Sequence, residues 1–233
     1  MLLEIKNLSS GYNKIQIIFD VSLGINRQEI VSIVGHNGAG KSTTLKTIFG
    51  IIKAFAGNIY FMEEEITSQP PAARIKRGFG FVPQERFIFD KLTVRENLEI
   101  STYSMDDKSG LNSRYTSLYH LFPVLSKRLN QTAGTLSGGE RRMLSLGGVL
   151  LRQPKLAMLD EPSLGLSPVM VKQMMDAIKE LNRNLEMTIL LVEQNVKQAF
   201  KISSRVYVLK TGRIILEESG ENLLKRGEWW DLF

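Results

Sequence analysis

Gly35-His36-Asn37-Gly38-Ala39-Gly40-Lys41-Ser42 follows directly on an apolar run that ends at Val34 and precedes a plausible helix over Lys41–Phe49. The spacing is GxxxxGK[ST], a phosphate-binding loop. Its glycines let backbone N–H groups turn inward around phosphates, and the helix N-terminus adds a partial positive charge. Lys41 supplies a full positive charge, and the Ser42 hydroxyl can ligate Mg²⁺. Strand, loop and helix in this order predict a nucleotide site and, around it, an α/β fold.

The rest of the chain reads outward from that loop. Leu156-Ala157-Met158-Leu159 is an apolar strand that ends in Asp160 and Glu161. Such a strand delivers Asp160 to the sheet edge beside the loop, where its carboxylate can hold Mg²⁺ through water and Glu161 can polarise an attacking water. Residues 29–34 and 188–192 are near-continuous apolar runs, as in buried parallel strands. Between residues 156–159 and 188–192 lies a helical stretch, 168–183, with Val171, Met174, Met175, Ile178 and Leu181 on one face. Strand, helix, strand implies a parallel sheet. Residues 2–8 and 21–25 alternate as strands, and 205–209 with 213–216 read as a hairpin around Thr211 and Gly212. From about 92 to 151 the periodicity turns helical, broken by a polar loop at 101–113. The expected division is a core of about 1–85 and 153–233 carrying an inserted helical subdomain of about 86–152.

Composition narrows the class. The 233 residues are enough for one sizeable core and too few for two ordinary enzyme domains. At 43% apolar and 23% charged the chain has the balance of a folded soluble protein. It contains no cysteine, which excludes disulfides, thiolate metal sites and thiol catalysis together. No apolar run approaches the roughly 18 residues of a membrane span, and Glu4 and Lys6 interrupt the start before a signal-peptide core can form. A cytoplasmic location is therefore expected. The net charge of +6 permits an anionic partner without choosing one.

Leu136-Ser137-Gly138-Gly139-Glu140 carries the next step. Ser137 and Glu140 have the S-x-x-E spacing of a capping box before a helix that buries Met143, Leu146 and Leu150. Two consecutive glycines in a first helical turn cost roughly 1 kcal/mol each against alanine, a poor choice for capping alone. Open N–H groups at a helix start make a second phosphate-binding surface. Here the sequence resembles the ATP-binding-cassette family, whose signature is LSGGQ or LSGGE. The resemblance covers essentially the whole chain, with its motifs in the family's order. It implies a RecA-like parallel-sheet core, an N-terminal antiparallel β part and an inserted helical subdomain, with ATP and Mg²⁺ as the bound species.

On the same resemblance, Tyr12 matches the aromatic that stacks on adenine, and the phosphate contacts extend from Gly35 through Ser42 to Thr43. Gln84, in Phe81-Val82-Pro83-Gln84, matches the glutamine that reaches Mg²⁺ and the attacking water, and Thr93-Val94-Arg95-Glu96-Asn97-Leu98 matches the stretch after it. Cassettes of this family stack head to tail, so that Ser137, Gly138 and Gly139 would complete a partner's site. Lys41, Asp160 and Glu161 would act on the ATP bound in cis, and a monomer would hydrolyse poorly.

Two positions leave the family's commonest pattern. The switch strand usually ends in histidine, whereas here 189–192 runs into Glu193-Gln194-Asn195, and both histidines, His36 and His120, lie earlier. Gln194 falls at the switch position, where its amide can donate to the γ-phosphate without titrating near neutrality; a glutamine at a helix start is the plainer alternative. The usual D-loop aspartate is replaced in Ser163-Leu164-Gly165-Leu166-Ser167-Pro168, where Ser167 also suits a helix N-cap. Together these departures resemble the shorter ATPase subunit of branched-chain amino acid importers. That subgroup implies membrane permease subunits and a periplasmic or extracellular substrate-binding protein as partners, no nucleic acid, and attachment to the inner membrane face. It also implies pairing with a second, histidine-bearing cassette. Urea or short-amide import, lipopolysaccharide export and the soluble ATPase of iron–sulfur assembly remain as alternatives.

Overall fold

β1 (Leu3–Tyr12) and β2 (Ile15–Ile25) form a hairpin whose two turn residues, Asn13 and Lys14, both take left-handed φ, 46° and 69°. That is the turn whose twist matches paired strands. β2 therefore begins six residues before the expected 21–25 segment, because the hairpin continues through Ile15-Gln16-Ile17-Ile18. β4 (Ala54–Phe61) and β5 (Glu64–Glu65) complete an antiparallel sheet in the order β2-β1-β4-β5, once β3 (Ile30–Val34) and α1 (Lys41–Phe49) have intervened. The computed structural model describes residues 1–85, 88–103, 105 and 107–226.

The second sheet is built on β3. After α2 (Pro71–Arg77) comes β6 (Phe79–Val82), and later β7 (Leu156–Asp160), β8 (Thr188–Glu193), β9 (Arg205–Lys210) and β10 (Arg213–Ser219). The order is β10-β9-β3-β8-β7-β6, parallel throughout except for the terminal β9–β10 hairpin. β7 and β8 are wholly buried, as continuous apolar strands in a two-sided sheet should be. Their alternate residues divide between two cores. Leu156, Met158, Leu190 and Val192 pack with Leu45, Ile48 and the antiparallel sheet. Ala157, Leu159, Ile189 and Leu191 pack on the other face with helices.

Those helices are α3 (Val94–Tyr103), α4 (Leu111–Leu121), α5 (Pro123–Lys127), α6 (Gly138–Leu150) and α7 (Pro168–Asn184). The expected stripe Val171, Met174, Met175, Ile178 and Leu181 is the buried face of α7. Each such side chain contributes about 1.5–3 kcal/mol of burial. Ser167 accepts from the Met170 N–H with Pro168 in the first turn, so its capping role is real. The polar stretch 101–113 is shorter as a loop than its composition suggests: α3 continues to Tyr103 and α4 starts at Leu111. α8 (Val196–Ile202) and α9 (Gly220–Lys225) close the far end over Val206 and Val208.

Candidate active site

The register of the parallel sheet puts four motif-bearing strand ends side by side. Val34 pairs with Glu193, Asp160 with Val192, and Val82 with Leu159. The loop after β3, the acids ending β7, Gln84 after β6 and Gln194 after β8 thus leave one carboxyl edge, where open α/β sheets hold their ligands.

Between β3 and α1 the loop turns so tightly that a side chain at Gly35 would collide with the Leu209 carbonyl, and Gly40 sits at φ 104° as the α1 N-cap. No side chain caps α1, so its first-turn N–H groups have no capping side-chain acceptor. His36, Asn37 and Gly38 are exposed at the rim, while Ala39, Gly40, Lys41 and Thr43 are buried and Ser42 is half-buried. Lys41 Nζ donates to the carbonyls of Gly35 (2.9 Å) and His36 (3.1 Å) and lies 3.3 Å from Glu161 Oε1. The ammonium therefore crosses the mouth of the loop where an anion would sit.

Ser42 Oγ donates to Asp160 Oδ1 at 3.0 Å, and Asp160 Oδ2 is buried without a hydrogen-bond partner. Burial pushes the Asp160 carboxyl up to about 6, against the lowering effect of the Ser42 hydrogen bond, with the Glu161 charge adding to the rise. A buried, unsatisfied carboxylate oxygen beside a hydroxyl suits a small oxygen-loving cation. Among the described residues no group of three or more His, Asp or Glu is placed to hold a metal by itself.

Glu161 is held on every side. Its φ is 48°, its N–H donates to the Val192 carbonyl at 2.9 Å and its own carbonyl accepts from Arg142 Nη1 at 3.0 Å. Its carboxylate accepts from Gln84 Nε2 at 3.1 Å and faces Lys41. Gln84, Lys41, Glu161, Asp160 and Ser42 therefore converge.

The remaining candidates stand apart from this cluster. Tyr12 is exposed at the end of β1, across the hairpin from Ile15; residues 17 and 18 of the same hairpin abut Gly40. Gln194 is exposed between β8 and Asn195, and Asn195 N-caps α8, so Gln194 occupies a helix entrance as its plainer reading supposed. Ser137 and Glu140 form the expected capping box, with Ser137 N donating to Glu140 Oε2 at 2.8 Å and Glu140 N to Ser137 Oγ at 3.3 Å. Gly139 is buried under Leu166 and Met170, where an added Cβ would have to displace the Met170 methyl group. The second glycine thus has a packing reason as well. Gly138 is half-buried at the open helix start.

Two residues escaped the sequence reading. Arg142 lies one helical turn beyond the signature glycines. Glu193, 1% exposed, accepts from Ser163 N (3.0 Å) and Oγ (2.8 Å) and ties the switch strand to the D-loop, while burial pushes its carboxyl up. A carboxylate ending an otherwise apolar buried strand was the available signal for Glu193. For Arg142 there was none.

The family model for ABC transporters matches residues 18–164, spanning the loop, Gln84, the signature and both acids. The chain belongs to the ABC transporter family. A high-affinity branched-chain amino acid transport ATP-binding protein, BraG, of Pseudomonas aeruginosa is 42% identical over 96% of this chain and 95% of its own length. A lipopolysaccharide export system ATP-binding protein, LptB, of Escherichia coli is 35% identical over 96% and 92%. An ATP-binding cassette of an ABC transporter solved in its ADP conformation superposes with a TM-score of 0.84 at 28% identity, covering 97% of this chain and 93% of that one. As an ABC transporter ATPase the chain binds and hydrolyses ATP.

Proposed function

We propose that this chain is the ATPase subunit of an importer for branched-chain or related hydrophobic amino acids. The observation that carries the catalytic part is the convergence of Lys41, Gln84 and Glu161 beside the Ser42–Asp160 pair. Lys41 and the open N-terminus of α1 bind the β- and γ-phosphates. Glu161, oriented by Gln84, takes a proton from the attacking water as general base. Ser42 and Asp160, joined by Gln84, would hold Mg²⁺, which offsets phosphate charge as the γ-phosphate departs. Tyr12 supplies an aromatic face for adenine, and Ser137, Gly138 and Gly139 complete the site of a second cassette. Gln194 donates its amide to the γ-phosphate.

The cargo class rests on relatedness, with 42% identity to the amino acid transport protein against 35% to the lipopolysaccharide export protein. It also rests on the paired departures at Gln194 and Ser167. Among the described residues no helix is long and apolar enough to cross a membrane. Attachment therefore runs through permease subunits at the inner membrane face, with a periplasmic or extracellular binding protein acting on their other side. A cleft of about 600 Å³ beside Gln84, lined by Phe49, Ile75, Phe81, Phe89 and Ile100, offers the permease an apolar seat. Of the three apolar residues at 87–89 that follow Gln84 in sequence, Phe89 is 53% exposed and Ile88 packs partly on the core, while Phe87 lies outside the described residues.

Reconstitution tests this reading. The chain, its permeases and their binding protein in vesicles should take up leucine, isoleucine or valine with ATP on the cassette side. Vesicles that hydrolyse ATP and transport none of these, while moving an amide, would overturn the cargo assignment.

A further inference from the structure

Glu161 occupies a backbone conformation that an L-residue adopts at a cost of about 1–3 kcal/mol, so something outside it must hold it there. Three hydrogen bonds do so. The sheet supplies one, from Glu161 N–H to the Val192 carbonyl, and the Glu161 carbonyl accepts two, from Leu164 N–H in the following turn at 3.1 Å and from Arg142 Nη1 on α6. With the peptide groups on both sides of its Cα anchored, the direction of the carboxylate is set. Arg142 is half-buried in a narrow cleft against Val82, Pro83, Gln84 and Pro162. It therefore lies between the two polypeptide segments that carry Gln84 and Glu161.

α6 begins at Gly138, and Arg142 is one turn further along the same helix. The segment proposed to meet a partner's nucleotide is thus rigidly continuous with a donor on the backbone of the general base in this chain's own site. We propose that Arg142 is a positioning residue that sets the Glu161 carboxylate according to the placement of α6, so that engagement of the signature with one ATP governs hydrolysis of the other. This rests on the reading of Glu161 as general base and of the signature as a trans contact.

The test is a double-mutant cycle on the full chain assembled with its transporter, using Arg142→Met, Arg142→Lys and Glu161→Gln, read by single-turnover hydrolysis and by ATP titration. Arg142→Met should lower the hydrolysis rate about tenfold, a part of the roughly 10²–10⁴-fold that a general base contributes, and change ATP affinity by less than about twofold. Arg142→Lys, which keeps a cationic donor, should recover part of the rate. In the Glu161→Gln background Arg142→Met should change the residual rate less than about twofold, because the group it positions is gone. An equal loss in both backgrounds would make Arg142 merely structural and overturn the inference, as would an unchanged rate in Arg142→Met. A wild-type rate in Glu161→Gln alone would instead remove the general-base reading beneath it, whatever Arg142 does.

Discussion

Lys41 Nζ and Glu161 Oε1 lie 3.3 Å apart, with side-chain exposures of 4% and 6%. The cation that should bind phosphate and the carboxylate that should activate water are thus a buried ion pair. A bound γ-phosphate should compete with Glu161 for the ammonium. Removing one partner of a buried pair is costly because the other charge stays behind, by about 3–5 kcal/mol. Lys41→Ala should therefore weaken ATP binding and also lower nucleotide-free stability, whereas Lys41→Ala with Glu161→Gln should regain part of that stability. Urea denaturation of the three proteins checks it, and a double variant no more stable than Lys41→Ala contradicts it.

Asp160 gives a pH signature of opposite sign to the usual salt-bridged acid. Its folded value of about 6 lies above the ordinary aspartate value of 3.8, so the native state binds this proton more tightly than the unfolded chain. The stability from that proton is full below about pH 4, is lost as pH rises toward 6 and stays lost above it, a change of about 2–3 kcal/mol. Asp160→Asn should then match or exceed wild-type stability at pH 7 without nucleotide, and the stability difference between the two proteins should shift between pH 4 and 6. The same variant should lose Mg²⁺-dependent ATP binding. A difference that stays constant across that pH range contradicts the assignment.

Gln194 carries no titrating proton. Hydrolysis by two copies of this chain should lack an imidazole-dependent acidic limb, and Gln194→Ala should reduce turnover about tenfold or more while changing ATP affinity less. Pairing with a histidine-bearing cassette should restore that limb for one of the two sites. Counting ATPase polypeptides in the purified transporter decides the pairing: two copies of this chain with no second cassette, at full transport rate, contradict the heterodimer.

The cleft beside Gln84 makes a separable prediction. Phe89→Asp and Ile100→Asp place charge on side chains that are 53% and 44% exposed, where the fold does not need them. Both should leave the stability of the isolated chain within about 0.5 kcal/mol, the range of ordinary surface changes. Co-purification with permease in detergent should fall. Undiminished capture would move the docking site elsewhere.

Much of this was legible because the decisive segments are local. The loop from Gly35 to Ser42, the strand ending in Asp160-Glu161, and the α7 stripe each combine one period with one set of end residues. Their meeting at one sheet edge follows from parallel pairing, which buried apolar strands announce. The antiparallel strand β4 and the short strand β6 lacked such a signal: β4 is half exposed with a mixed pattern, and β6 has four residues. Arg142 and Glu193 were hidden for another reason. Their partners, the Glu161 carbonyl and Ser163, lie 19 and 30 residues away, and one is a backbone atom that no pattern of side chains reveals.

The most direct test of the whole account is the mass of Glu161→Gln in Mg·ATP. The change keeps Lys41, Ser42, Asp160 and the signature while removing the base, so ATP should bind, fail to hydrolyse and hold two chains together across both signatures. Turnover should fall about 100-fold or more. Sedimentation equilibrium should give twice the mass of one chain with Mg·ATP and a single chain with Mg·ADP. A monomer at saturating ATP, or a variant that turns over at the wild-type rate, would contradict it.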